Sequence, residues 1–281
     1  MRVHPFLLLL GSSLAVGCTD APTGTTEIPR PLAVVNGQPD AARHPYVGLL
    51  VFEDEDGPAW RCSGALLSPT VVLTAAHCTD GAVAARIWMD EVVEGNSEYP
   101  RAGSTSYEGV AYTNPEYCDY TTCGSNNGLP AFIHRDIGIV VLTEPVPTAV
   151  VDTYAQLPAA GLVGTLPNKT ALDLVGYGVQ EQVHGGGVPV WVGPRVRLFA
   201  PVELVSGEFS FSDEFVRLTS NPGNDKGGLC FGDSGGPDVL TGTRTVIAVN
   251  SYVPNPNCAG VAYSTRVDIP AVLSWIQSFL D

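Results

Sequence analysis

Positive charge is scarce in this 281-residue chain: 14 Lys and Arg stand against 29 Asp and Glu, for a formal charge of -15 at pH 7. That balance disfavours phosphate backbones and anionic lipid, so nucleic acid is not an expected partner. Long apolar runs are missing too. The longest lies in the opening MRVHPFLLLLGSSLAVGC and is too short to span a membrane. No Cys/His spacing matches a zinc pattern and no internal repeat is visible. No metal or cofactor is therefore expected. The acidic cluster Asp90-Glu91-Val-Val-Glu94 carries oxygens that could hold Ca²⁺, but it reads better as a solvated surface loop.

What is present points outward from the cytoplasm. Residues 1–17 combine a basic Arg2, a short apolar run and small residues, the layout of a secretory signal. Ala15-Val-Gly-Cys18 resembles a bacterial lipoprotein cleavage box in which Cys18 becomes the lipidated N-terminus, with Ala15 where leucine is usual. Of seven cysteines, Cys62, Cys78, Cys118, Cys123, Cys230 and Cys258 can form three pairs. Cys18 is left over, as a lipid anchor or a free thiol. Residues 18–33 are rich in Thr and Pro and read as a tether or propeptide. The folded part, 34–281, is expected to be one substantial all-β unit or two small packed domains.

Short apolar and alternating runs separated by Gly, Pro and Asn turns support that class: Tyr46 to Phe52, Gly64 to Leu67, Val71 to Thr74, Ile137 to Leu142, Ala171 to Val175 and Val246 to Ser251. Only 268–280 has helical apolar spacing, with Asp268 expected as N-cap and Pro270 in the first turn.

The stretch KGGLCFGDSGGP, Lys226 to Pro237, sets Ser234 among glycines. Its Gly232-Asp-Ser-Gly-Gly236 core also satisfies the G-x-S-x-G elbow, which demands a histidine later in the chain. The five histidines are His4, His44, His77, His134 and His184, and none follows Ser234. That scaffold is excluded. A serine hydroxyl needs a base and an orienting carboxylate, and the order His, Asp, Ser remains open.

Three segments carry that order: Cys62-Ser-Gly-Ala-Leu-Leu-Ser-Pro-Thr-Val-Val-Leu-Thr-Ala-Ala-His-Cys78, Arg135-Asp-Ile-Gly-Ile-Val-Val-Leu142 and Cys230-Phe-Gly-Asp-Ser-Gly-Gly-Pro237. Together they resemble the chymotrypsin-like (trypsin-like) serine proteases, in the style of secreted bacterial members, from about Val34 to the C-terminus. The resemblance implies two packed six-stranded antiparallel Greek-key barrels with a C-terminal α-helix, and an exported, monomeric serine endopeptidase acting on proteins or peptides. Ser234 would be the nucleophile, His77 the base and Asp136 the carboxylate that orients it. Backbone N–H groups of Gly232 and Ser234 would form the oxyanion hole. His134, two residues from Asp136, is the rival base, because an extended strand would point both side chains to one face.

The family pattern also implies Cys62–Cys78 and Cys230–Cys258 bridges, with Cys118–Cys123 paired by exclusion. An activating cut, by another protease or by this protein itself, would fall at Ala33–Val34 and free an ammonium to pair with Asp233. Relatives that cut after Lys or Arg carry an aspartate where this chain has Gly228, so trypsin-like specificity is not expected; an intruding Asp225 is the weaker alternative. Ser251, Val253 and Val261 are expected in the pocket wall. If Ser251 matches the family serine, Val253 narrows the pocket toward small apolar residues; if Asn250 does, Tyr252 closes it. Rival readings are a catalytically silent homologue acting as a surface-anchored binding protein, and a lipid-anchored adhesin. Membrane contact is expected only through Cys18.

Overall fold

The computed structural model describes residue 34 and residues 37–119, 122–123, 133–178, 181–183, 190–205, 214–220, 227–254 and 258–280. The signal-like segment, the tether, Cys18, Ala33 and Asp225 lie outside the described residues. Among the described residues, no helix is long and apolar enough to cross a membrane.

A short strand β1 (Gln38–Pro39) precedes a first barrel built from β2 (Val47–Asp54), β3 (Gly57–Leu66), β4 (Val71–Thr74), β5 (Ala84–Trp88), β6 (Ser106–Thr113) and β7 (Gly138–Leu142). The strands close in the order β2-β3-β4-β7-β6-β5, every pair antiparallel. A single helical turn, α1 (Ala76–Thr79), interrupts the path after β4. The apolar run of β2, Val47 to Phe52, is buried at every position, as a strand covered on both faces should be.

The second barrel uses β8 (Ala171–Gly176), β11 (Leu198–Val205), β12 (Phe215–Ser220), β13 (Pro237–Leu240), β14 (Val246–Tyr252) and β15 (Gly260–Arg266), with the hairpin β9 (Glu181–Val183) and β10 (Val190–Val192) between β8 and β11. Its order is β11-β12-β15-β14-β13-β8, and the β8–β11 pairing closes the ring while β1 adds to the outside of β11. Two apolar clusters follow from this layout. One fills the first barrel and the seam; the other, with Val34, Leu174, Leu218, Leu229 and Ile247, fills the second.

The chain ends in α2 (Pro270–Gln277), whose Val272, Leu273 and Ile276 are buried against the seam. Truncating Ile276 to Ala would cost about 2–4 kcal/mol through lost contacts and the cavity left behind. Pro270 opens the helix, where a missing N–H does no harm. Asp268 does not cap it. Its carboxylate instead accepts the Val163 N–H at 2.8 Å and the Arg266 guanidinium, tying a 3₁₀ turn (Leu162–Thr165) to the end of β15. A fully buried aspartate needs such charge-assisted donors more than an exposed helix end needs a cap.

Candidate active site

His77 sits on α1, where the Cys62–Cys78 disulfide ties that turn to β3. Its backbone N–H donates to Asp136 Oδ1 at 2.8 Å and its Nδ1 lies 2.8 Å from Asp136 Oδ2. Ser251, on β14, donates its hydroxyl to the same Oδ2 at 2.5 Å. Asp136 has no solvent exposure, yet these donors outweigh the cost of burial and hold its pKa below the ordinary carboxylate value. Burial likewise opposes the imidazolium of His77, but the charge and hydrogen bond of Asp136 prevail and raise its pKa above the usual histidine value. The approach depends on Gly138. A Cβ there would stand 2.6 Å from the Ala75 carbonyl, so a larger residue would push β7 away from α1.

Ser234 lies on the loop before β13 and is partly exposed. Two glycines shape this loop with positive φ, Gly232 at 92° and Gly235 at 81°. A Cβ on Gly235 would fall 2.1 Å from Thr74 Oγ1 and 3.0 Å from the Ala75 N–H group's nitrogen, so glycine lets the serine loop press against the strand that leads into His77. Ser63 locks the contact: its N–H donates to the Ser234 carbonyl at 2.7 Å and its hydroxyl to the Gly232 carbonyl at 3.0 Å. The backbone N–H groups of Gly232 and Ser234 are donated to no described residue. Both residues are partly exposed, so these N–H groups can donate to solvent or to a bound group. No Ser234–His77 hydrogen bond is formed in this continuous chain, and in unliganded sites such bonds are often long.

Beside the serine, Gly228 is packed directly against Ser220: a Cβ there would lie 1.8 Å from Ser220 Oγ, which itself donates to the Cys258 carbonyl at 2.9 Å. The Cys230–Cys258 bridge holds this corner. Leu229 is buried, while Val253 and Val261 are half-buried, Val253 packing on the second-barrel cluster. Because Ser251 reaches Asp136, its neighbour Asn250 points the other way, into the barrel, where its amide donates to the Asp233 carbonyl at 3.3 Å. Tyr252 is taken up by stacking on Tyr263, ring centroids 4.8 Å apart.

A sequence model of the family described as Trypsin matches residues 34–276. The chain belongs to the trypsin family of serine proteases. Relatives include Serine protease 1 of Drosophila melanogaster, 25% identical over 88% of this chain and 83% of its own length, and Chymotrypsin of Phaedon cochleariae, 28% identical over 92% and 86%. Among solved structures, the fold is similar to HL collagenase (TM-score 0.63, 18% identity, 84% of this chain and 94% of that one) and to a mutant of human heparin binding protein (TM-score 0.59, 20% identity, 87% and 95%). At those identities the structures speak for the fold alone. Membership makes the chain a serine-type endopeptidase with protein or peptide substrates.

The structure overturns one expectation for this trypsin-family chain and places several other residues. His134 does not share a strand face with Asp136: Arg135 between them has φ of 51°, which breaks the extended path. His134 Nδ1 instead pairs with Glu214 Oε2 at 2.6 Å. His44 is buried between Asp40 at 2.6 Å and Asp173 at 3.6 Å, a packing role. The Cys118–Cys123 bridge closes a small loop. Cys62, His77 and Cys78 lie near enough to one another to suggest a metal set, but both sulfurs are spent in the disulfide. Of the acidic surface residues, Glu91 accepts the Ala41 N–H and Glu94 pairs with Arg195.

Val34 and Asp233 are both fully buried. In this continuous chain the Asp233 carboxylate takes the N–H groups of Gly178 at 2.8 Å and Cys230 at 3.0 Å. Burial still dominates, pushing its pKa up to about 7. Sequence reasoning overlooked Ser63, Ser220 and Asp238. Ser63 follows the cysteine of the histidine segment and could have been suspected; Asp238 follows Pro237 where the strand pattern asks for an apolar residue, a conflict visible in the sequence itself.

Proposed function

We propose that Ser234 attacks the scissile carbonyl, that His77 takes its proton and passes it to the leaving amine, and that Asp136 fixes the His77 tautomer and stabilises the imidazolium. The observation that carries this reading is the unbroken hydrogen-bonded line Ser251–Asp136–His77, met by a serine loop whose Gly232 and Ser234 N–H groups have no other use among the described residues. Such donors contribute roughly 3–4 kcal/mol each to stabilising the oxyanion. Gly228, Leu229 and Val253 supply no anion to offset a cationic side chain, which favours small or apolar residues on the acyl side of the cut.

The protein is exported, by the signal layout of residues 1–17, and is held at the cell envelope through Cys18. It is activated by a cut at Ala33–Val34, after which the Val34 ammonium neutralises Asp233 and orders the oxyanion loop. Labelling with a fluorophosphonate probe tests the core of this reading: processed wild type should react, and Ser234→Ala and His77→Ala should not. An unreactive, correctly processed protein would point to a silent homologue used for binding. N-terminal sequencing of active material should begin at Val34, and Cys18→Ser should release the protein from membranes.

A further inference from the structure

Across four strands of the first barrel, Arg61 stands opposite Val51, Val51 opposite Arg86, and Arg86 opposite Glu108. Residues opposite one another in antiparallel strands share a face, so two arginines lie in one row. Their situations differ. Arg86 is neutralised by Glu53 and by Glu108 at 3.0 Å. Arg61 has no ion pair among the described residues, in a chain whose formal charge is -15.

Arg61 ends a cavity of about 250 Å³ that lies between Val51 and Pro58 on the barrel and Tyr99 and Pro100 on the loop before β6. The loop wall is fixed from behind. Arg86 donates to the Pro100 carbonyl at 3.4 Å, and the Arg195 guanidinium lies 4.6 Å from the Tyr99 ring centre while pairing with Glu94 at 2.8 Å. A cavity whose walls are held by other partners loses little order on binding.

Its position gives it a direction relative to the reacting bond. Arg61 Nε lies 3.5 Å from where a Cβ on Gly232 would stand, and Trp60 Nε1 donates to the carbonyl of Cys78, the residue after His77, at 2.8 Å. The cavity therefore adjoins the oxyanion loop on the His77 side, where the leaving amine collects its proton. Gly228 and Val253, on the second barrel, serve the acyl side. Arg61 has no carboxylate in ion-pair contact among the described residues, its charge acting otherwise on the buried Asp233, and a guanidinium so placed at the end of a cavity suits a carboxylate.

We propose that this cavity binds an Asp or Glu side chain within the first few residues after the scissile bond, with Arg61 as its counter-ion. The inference rests on the protease reading above. Internally quenched peptides with one fixed acyl side and Asp, Ala or Lys at each of the first three leaving-group positions provide the test. At one position, wild-type kcat/KM for Asp should exceed that for Lys by about tenfold, mainly through KM, and the ratio should shrink as salt rises. Arg61→Met should bring it close to one, Arg61→Lys should keep part of it, and Arg61→Glu should invert it. Efficient cleavage with Asp/Lys ratios within twofold at all three positions, or a wild-type ratio surviving in Arg61→Met, would overturn the cavity's assignment alone. Absence of cleavage of every peptide by processed wild type would overturn the protease reading with it.

Discussion

Ser251 donates its hydroxyl to Asp136 Oδ2 at 2.5 Å, across the seam between the two barrels. The bond fixes the register of β14 at the site: Ser251 faces the carboxylate, Asn250 faces the barrel interior, and Val253 comes two residues later. On the proposed assignment, Val253→Gly should therefore widen the pocket. Turnover of Phe relative to Ala peptide anilides should rise about tenfold or more in kcat/KM. An unchanged ratio would mean that another side chain sets the width.

The Asp136 carboxylate raises the pKa of His77. On the proposed roles only neutral His77 can accept the serine proton, so activity should rise with pH through that raised value. The acid limb of kcat/KM should lie above the unperturbed histidine value of about 6.5. A pH–rate profile on the processed enzyme checks this, and a limb below 6.5 would contradict it. Asp136→Asn should lower kcat by roughly 10⁴ by losing the tautomer-fixing acceptor.

Gly228→Asp is the obvious attempt to create cleavage after Lys or Arg. Here it should fail. The new Cβ would fall 1.8 Å from Ser220 Oγ, so the loop must shift or the substitution will destabilise the fold by about 2 kcal/mol or more. Gly228→Asp combined with Ser220→Gly removes the two nearest atoms and leaves the backbone Cα of residue 220 at 2.9 Å, so it eases the clash and is expected to give more activity on Arg anilides than the single variant.

Asp238 is fully buried, and burial outweighs the help of the neighbouring Ser264 hydroxyl and pushes its pKa up to about 8; Asp233 follows at about 7. In the folded chain both hold protons that the unfolded chain releases near pH 4. Stability is then full below about pH 4 for these groups and is lost as pH rises through 7 and 8. Urea unfolding of the uncleaved Ser234→Ala protein should show lower stability at pH 8 than at pH 5. Asp238→Asn should flatten that slope and add about 2 kcal/mol at pH 8. Equal slopes in the two proteins would refute this.

The contrast between His77 and Asp238 shows what could be read from the chain before its fold. TAAHC and GDSGGP carry local geometry in their own letters, since the glycines permit positive φ and the cysteines staple the histidine turn. The strand β4 and the core of β2 were likewise legible as continuous apolar runs. Asp268 was misjudged because its position beside Pro270 looked like a cap, while its partners, Val163 and Arg266, are supplied by tertiary packing. Arg61 and Ser63 gain their meaning only from Gly232, some 170 positions away, and no local pattern announces such a contact. The choice between Asn250 and Ser251 had the same origin: one residue of register decides which side chain crosses the seam.

Ser63 belongs to the first barrel and holds both Gly232 and Ser234 of the loop before β13, while its hydroxyl also receives the Tyr177 N–H at 2.9 Å. Ser234, the proposed nucleophile, is thus moored to the opposite half of the molecule by a single small side chain and its backbone. Any thermal breathing that parts the halves slackens that mooring first, so heat should silence the enzyme while each barrel still keeps its own hydrogen-bond ladder. Inactivation and melting would then be separate events on a temperature ramp, with the earlier one reversible on cooling.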